Sequence, residues 1–361
     1  MQTSLRRIPI LTVLLLGLPL LGLWLHGVPL APYLEFPPQT RLVVHAPFSW
    51  SLFLLTAVVG LSSLAGITWL LLRDRKADPA MRTASLAGHW PWWGWVGLVL
   101  VAVGWVLAWN RFPWFADWQW TTFTPLWFGY ILVINAWTWW REGQCLLVNQ
   151  RRYFLLLFPL SALFWWYFEF LNRFVQNWFY LGVDGFSPWR YGLHATIAFS
   201  TVLPAVMSTQ EWMRSIWRLP DLALPVAVSR ITIRRLALAL LITSSIALTL
   251  LGIFPSLLFP FLWFAPLLLL LGLQGLGGEP DLLTEFRVRG WQVIYLPALA
   301  ALQCGIFWEL WNYYSAAKWI YAVPFVHRFQ IFEMPVVGFT GYLPFGVECL
   351  AIALLVKSAD K

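Results

Sequence analysis

The chain has 361 residues, 60% of them hydrophobic and only 11% charged, with a mean hydropathy of +0.68. So much apolar surface excludes a soluble globular domain, and uninterrupted apolar runs of about 18 residues or more read as membrane spans. The net charge of +8 is accounted for by the loops, which sets nucleic acid aside, and the three scattered cysteines, Cys145, Cys304 and Cys349, fit neither a disulfide framework nor a metal-type spacing.

Arg6 and Arg7 precede an apolar run from Ile8 to about Leu25, longer than the roughly 7–15 residues of a signal-peptide core. No small-x-small cleavage pattern follows it. This run is read as a retained first span. Ten spans of about 20 residues each can then be placed. The first two are Ile8–Leu30 and Phe48–Leu72, followed by a basic connector, Arg73–His89. The next four are Trp93–Trp109, Thr122–Trp140, Tyr153–Leu171 and Tyr191–Ser208. The last four are Leu236–Phe254, Leu258–Leu273, Val293–Trp311 and Pro335–Val356. Trp212 and Trp217, beside Arg214 and Arg218, read as a separate short interfacial helix.

With the N-terminus in the cytoplasm, eighteen of the 24 Lys and Arg residues fall on the cytoplasmic side and six on the other. That bias follows the positive-inside rule and predicts a multi-pass protein of the cytoplasmic (inner) membrane with both termini cytoplasmic. The expected fold is an all-α polytopic membrane protein.

One pattern occurs twice. Glu169 is followed by Asn172 and then by Trp178-x-Tyr180, and Glu309 by Asn312 and then by Trp319-x-Tyr321. Positions i and i+3 share a helix face, so each Glu–Asn pair is expected to point one way. Upstream, Pro125-Leu126-Trp127-Phe128 echoes Phe261-Leu262-Trp263-Phe264; downstream, Leu203-Pro204 echoes Leu343-Pro344. The two copies lie four spans apart and so share one orientation. This predicts a two-span preface over 1–90, a first four-span repeat over 91–229 and a second over 230–361.

Glu169, Glu309 and Glu348 are the acidic residues that fall within spans. A carboxyl at membrane depth is a functional candidate by default, and an acid in a dry site can serve as a general acid. The bland alternative is an interhelical tie, worth about 0.6–2 kcal/mol. Trp166, Trp308 and Trp311 flank the signature acids, and Trp178, Tyr180, Trp319 and Tyr321 follow them. Aromatic faces attract cations and also suit an apolar ligand with no chemistry. Glu333 lies in the ordered-looking loop that leads through Gly338, Gly341 and Pro344 to Glu348. His194 and His327 stand alone and read as packing residues.

Trp308-Glu309, Trp319-x-Tyr321 and Gly341-x-x-Pro344 leading to Glu348 resemble the membrane-embedded lycopene cyclases, the heterodimeric or fused carotenoid cyclases, over about residues 305–350. The family's paired acid directly after the proline is replaced here by Phe345 and Gly346. The resemblance implies redox-neutral proton chemistry on a polyene. Glu309 or Glu348 would be the acid, Glu169 would contribute from the other repeat, and Asn172 and Asn312 would orient carboxyls. The aromatic residues and Glu333 would hold the substrate.

No phosphate-binding glycine loop, no aspartate-rich diphosphate site and no metal or cofactor motif is visible. The expectation is therefore a membrane enzyme acting on an apolar isoprenoid or lipid near the outer face. Two rivals stand beside it: a non-enzymatic lipid-binding or assembly protein, and a proton-coupled transporter. The sequence names no partner protein and no oligomeric state.

Overall fold

A computed structural model describes residues 7–38, 40–76, 89–217, 223–224, 226–278 and 280–357. Arg6, Arg82, Arg218, Lys361 and most of the predicted basic connector lie outside the described residues. Among the described residues the fold is all-helical apart from two short strand pairs.

The long helices, in chain order, are α1 Arg7–Leu25, α2 Trp50–Lys76, α3 Trp92–Trp109, α4 Phe123–Glu142 and α5 Arg151–Val175. They continue with α6 Pro188–Phe199, α7 Val202–Trp217, α8 Arg230–Leu250, α9 Pro260–Gly277, α10 Gln292–Tyr313 and α11 Tyr342–Lys357. Among the described residues, nine helical segments are long and apolar enough to cross a membrane, with α6 and α7 forming one of them and α11 extended back to Val336.

Helix α4 is not among the nine, because its Trp, Asn and Thr residues dilute its apolar character. Its path is nonetheless fixed by α3. Gly94 of α3 faces Ala136, Gly97 faces Leu132 and Gly104 faces Leu126, an antiparallel alignment along the whole pair. Small residues on one helix let the other approach closely, a common device where lipid supplies no hydrophobic drive. A 20-residue helix paired in this way with a membrane span crosses the same layer.

Several boundaries shift by a few residues from the sequence reading, as where α8 opens at Arg230 rather than Leu236, and two differ in kind. Trp212 and Trp217 do not form a separate interfacial helix but close α7, whose residues Val202–Gln210 are buried without interruption. No Gly or Pro breaks the chain between Ser208 and Trp217, so the helix runs on; the break falls earlier, at Ser200 and Thr201. The last span opens with a 3-10 turn over Val336–Gly341, and its regular helix begins only at Tyr342.

The core is aromatic. Trp127 of α4 is fully buried, 4.9 Å from the Trp308 ring and 5.2 Å from the Trp311 ring of α10. Gly346 of α11 sits against the Pro297 carbonyl of α10 so closely that any side chain there would collide with backbone.

The chain leaving α5 forms strand β1, Trp178–Leu181, and the chain leaving α10 forms β2, Lys318–Tyr321. They pair antiparallel, with Trp178 opposite Tyr321, Phe179 opposite Ile320, and Tyr180 opposite Trp319. Each Trp-x-Tyr thus meets the other in reverse, about a point between Phe179 and Ile320. Gly182, at a positive φ of 75°, ends β1 against the Ala316 backbone, where a side chain has no room.

Candidate functional site

Each signature is assembled by its asparagine. The Asn172 amide donates to the Trp178 carbonyl at 2.8 Å, and its oxygen accepts from the Asn177 N–H at 2.8 Å. Asn312 donates to the Trp319 carbonyl at 2.8 Å and accepts from the Trp319 N–H at 2.9 Å. These bonds turn the chain from helix into strand and satisfy backbone groups that burial would otherwise leave unpaired. The expectation that Asn172 and Asn312 orient the carboxyls is therefore corrected. Both ends of each amide are spent on backbone.

The carboxyls are oriented by aromatic donors instead. One oxygen of Glu169 accepts from Trp165 Nε1 at 3.1 Å, from Trp178 Nε1 at 3.1 Å and from the Tyr180 hydroxyl at 2.5 Å. One oxygen of Glu309 accepts from the Tyr321 hydroxyl at 2.8 Å and the Tyr342 hydroxyl at 3.0 Å. Trp319 Nε1 donates to the Tyr321 hydroxyl at 2.9 Å. In each cluster the second carboxyl oxygen is buried and has no partner among the described residues.

Tyr180 and Tyr321 lie on the strands, outside the spans. Burial pushes both phenols well above their usual range, and the neighbouring Glu169 and Glu309 push the same way.

Between the two clusters lies a cavity of about 920 Å³, within the range of small-molecule sites. Trp178, Tyr180, Trp308, Trp319, Tyr321 and Tyr342 line it, so both halves of the chain face one space. Trp165, Trp263, Phe345 and His194 complete much of its wall, and Thr56, Gly60 and Ser63 of α2 close one side. Glu169 and Glu309 do not line it: each carboxyl stands one layer back, behind the phenols that do.

The remaining predicted site residues are placed elsewhere. Trp311 is a core residue packed on Trp127 and Trp105. Trp166 bonds Thr196 Oγ1 at 3.0 Å and is not part of the cavity wall. Glu333 forms an ion pair with Lys318 at 2.6 Å, which bridges the loop to the start of β2 and leaves the carboxylate off the cavity. Glu348 is buried in α11 against the Leu267 backbone of α9 and joins neither cluster, because it faces helix α9 rather than the cavity.

Sequence reasoning missed Tyr342. Its signal is Gly305, one turn before Glu309, where the first signature has Trp165. A side chain at Gly305 would strike the Tyr342 ring, so the glycine holds open the slot that ring fills. Among the described residues no cluster of three or more His, Cys, Asp or Glu is placed to hold a metal ion.

Comparison of the chain with protein-family models, curated proteins and solved structures gave no match.

Proposed function

We propose that this chain is an integral membrane enzyme acting on an apolar isoprenoid or lipid by acid–base chemistry, in the manner of a cyclase or isomerase. The observation that carries the proposal is the shared cavity: an apolar, aromatic space whose convergent polar groups include three phenols, each backed by a buried carboxyl. When the carboxyl is protonated and the hydrogen bond runs from it to the phenol, the phenol can give its own proton to a ligand double bond while taking the carboxyl's. The reverse transfer removes a proton from the ligand.

In this reading Glu309, through Tyr321 or Tyr342, supplies the proton. Glu169, through Tyr180, receives one from another carbon of the resulting cation. One proton enters and one leaves, so the product is an isomer of unchanged mass and no redox partner is consumed. The indoles of Trp178, Trp308 and Trp319 line the cavity, and aromatic rings close to a cationic intermediate favour it. Glu348 has no part in this scheme. The resemblance of residues 305–350 to lycopene cyclases makes a polyene the first substrate class to try. The matched signatures also favour a duplicated origin for 91–229 and 230–361, and the distribution of basic residues favours placing the sheet on the outer side of a cytoplasmic membrane.

A second reading rests on the position of the carboxyls behind the wall. On that reading the clusters anchor β1 and β2, and the cavity binds a lipid without changing it.

The test compares isoprenoid extracts of a lycopene-accumulating host with and without this chain, by chromatography and mass spectrometry. A new isomer of the same mass, absent with Glu309→Gln, is expected. An unchanged extract despite membrane expression rejects lycopene cyclisation. Apolar molecules retained through purification would then favour the binding reading.

A further inference from the structure

The residue before the tryptophan of each signature lines the aromatic cavity: Asn177 before Trp178, and Lys318 before Trp319. Lys318 is spent on structure. Its Nζ donates to Glu333 Oε1 at 2.6 Å and to the Tyr313 carbonyl at 3.2 Å. Asn177 is only 2% exposed, yet its Oδ1 accepts no hydrogen bond among the described residues.

The backbone of Asn177 is fully engaged. Its N–H donates to Asn172 Oδ1 at 2.8 Å, and its carbonyl accepts from the Ala322 N–H at 2.8 Å, just beyond β2. The residue is thus fixed in the wall with its amide oxygen unused. Other hydroxyls of the wall are satisfied locally: Thr56, Ser63 and Thr340 each donate to a carbonyl one turn back in their own element. Among the described residues, Asn177 Oδ1 is the one buried side-chain polar atom of this wall without a partner.

A buried acceptor left unpaired costs stability, and folding does not call for one here. Lys318 at the matching position shows that the strand forms without an amide. One vacant polar contact in an aromatic, apolar space selects a ligand with one polar group. A hydroxyl suits it, because it both donates and accepts and so satisfies the amide from either end. It also brings no charge to desolvate. A carboxylate or phosphate would enter a space whose one lining Lys or Arg, Lys318, is already held by Glu333.

We infer that the ligand of the aromatic cavity is an isoprenoid alcohol rather than a bare hydrocarbon, and that its hydroxyl donates to Asn177 Oδ1. The inference rests on the proposed reading that this cavity takes an apolar isoprenoid or lipid. It adds the polar end of that ligand, a fixed point that sets the register of the chain against the three phenols. Asn177 is then a specificity residue: it holds the substrate and takes no part in proton transfer.

The test offers the full-length protein, purified in detergent, an equimolar mixture of geranylgeraniol and the hydrocarbon of the same skeleton without the hydroxyl. After gel filtration the retained ligand is extracted and measured by gas chromatography–mass spectrometry against protein-free micelles. The ratio of alcohol to hydrocarbon should exceed that of the micelles about fivefold, the worth of one net hydrogen bond. It should fall to the micelle value in Asn177→Leu. That substitution keeps the size of the side chain and removes an unpaired acceptor, so thermal unfolding should come no earlier than in the parent. Asn177→Ala should lose the same preference with a smaller side chain, which covers crowding by the leucine. An equal preference for the alcohol in parent and both variants overturns the role of Asn177. Hydrocarbon retained as well as alcohol overturns the inference and leaves the apolar reading of the cavity standing. Retention of neither above the micelle level overturns that reading, and the inference with it.

Discussion

Glu169 receives two indoles and one phenol, whereas Glu309 receives two phenols, one of them supplied by a different helix. Around that difference the two clusters share a plan: a glutamate, an asparagine clamping the strand, and a Trp-x-Tyr pair on that strand. An indole N–H only donates, while a phenol both donates and accepts. A proton can therefore pass through Tyr321 or Tyr342 on one side but only through Tyr180 on the other. On the proposed reading, the shared plan serves folding and the difference serves proton transfer.

The largest expected effect separates the carboxyls by activity. Glu309→Gln should lower isomer formation by about 100-fold or more, the usual worth of a general acid. Glu169→Gln should cost less, because taking a proton from a carbocation already formed is easier than forming it. Equal losses, measured in the same host, would make the two clusters chemically equivalent and remove the distinction drawn here. Next in size, Asn172→Ala and Asn312→Ala should each destabilise the protein by about 2–3 kcal/mol, by stranding buried backbone groups. Thermal unfolding in detergent would show this, and similar losses in the two variants would confirm that the asparagines serve the shared plan.

Gly305→Ala addresses the difference directly. Its methyl group would meet the Tyr342 ring, at an overpacking cost of about 1–2 kcal/mol. Activity should fall further than Tyr342→Phe alone makes it fall. Tyr342→Phe should cost about 1 kcal/mol of stability through one lost hydrogen bond. Activity unchanged in both variants would take Tyr342 out of the relay.

The smallest effect at neutral pH is a slope at alkaline pH. Tyr180 and Tyr321 are held above their usual range when folded, so they keep their protons while the unfolded chain releases its own. Stability should then fall as pH rises past about 10. The Tyr180→Phe, Tyr321→Phe double variant should show a shallower fall, and an identical slope would mean that these phenols ionise freely in the native protein.

The helices were legible because hydropathy over some 20 residues is a sum that local detail barely disturbs. Helix α4 shows where that sum weakens: its Trp and Asn residues lower its apolar character, and its pairing with the glycines of α3 places it instead. The doubled Glu–Asn–Trp–Tyr pattern was legible as a repeated spacing. The role of Asn172 and Asn312 was not, because i and i+3 sharing a face reveals nothing about a chain that leaves the helix and turns back. Nor was the strand pairing, since four-residue strands contributed by segments 140 positions apart carry no periodicity of their own. Tyr342 was hidden for a similar reason: its significance lies in the hole at Gly305, and a hole is visible in sequence only when a second copy shows what usually fills it.

The reversed register of β1 and β2 has a consequence for how the polypeptide can be cut. Each strand is anchored to its own helix by an asparagine, yet each finds its hydrogen-bonding edge only on the other. A chain severed between Trp217 and Arg230 would yield two fragments, each displaying an open strand edge whose complement the other carries. Co-expressed, the two pieces should find one another at that edge; expressed singly, each would present a sticky end with nothing to satisfy it.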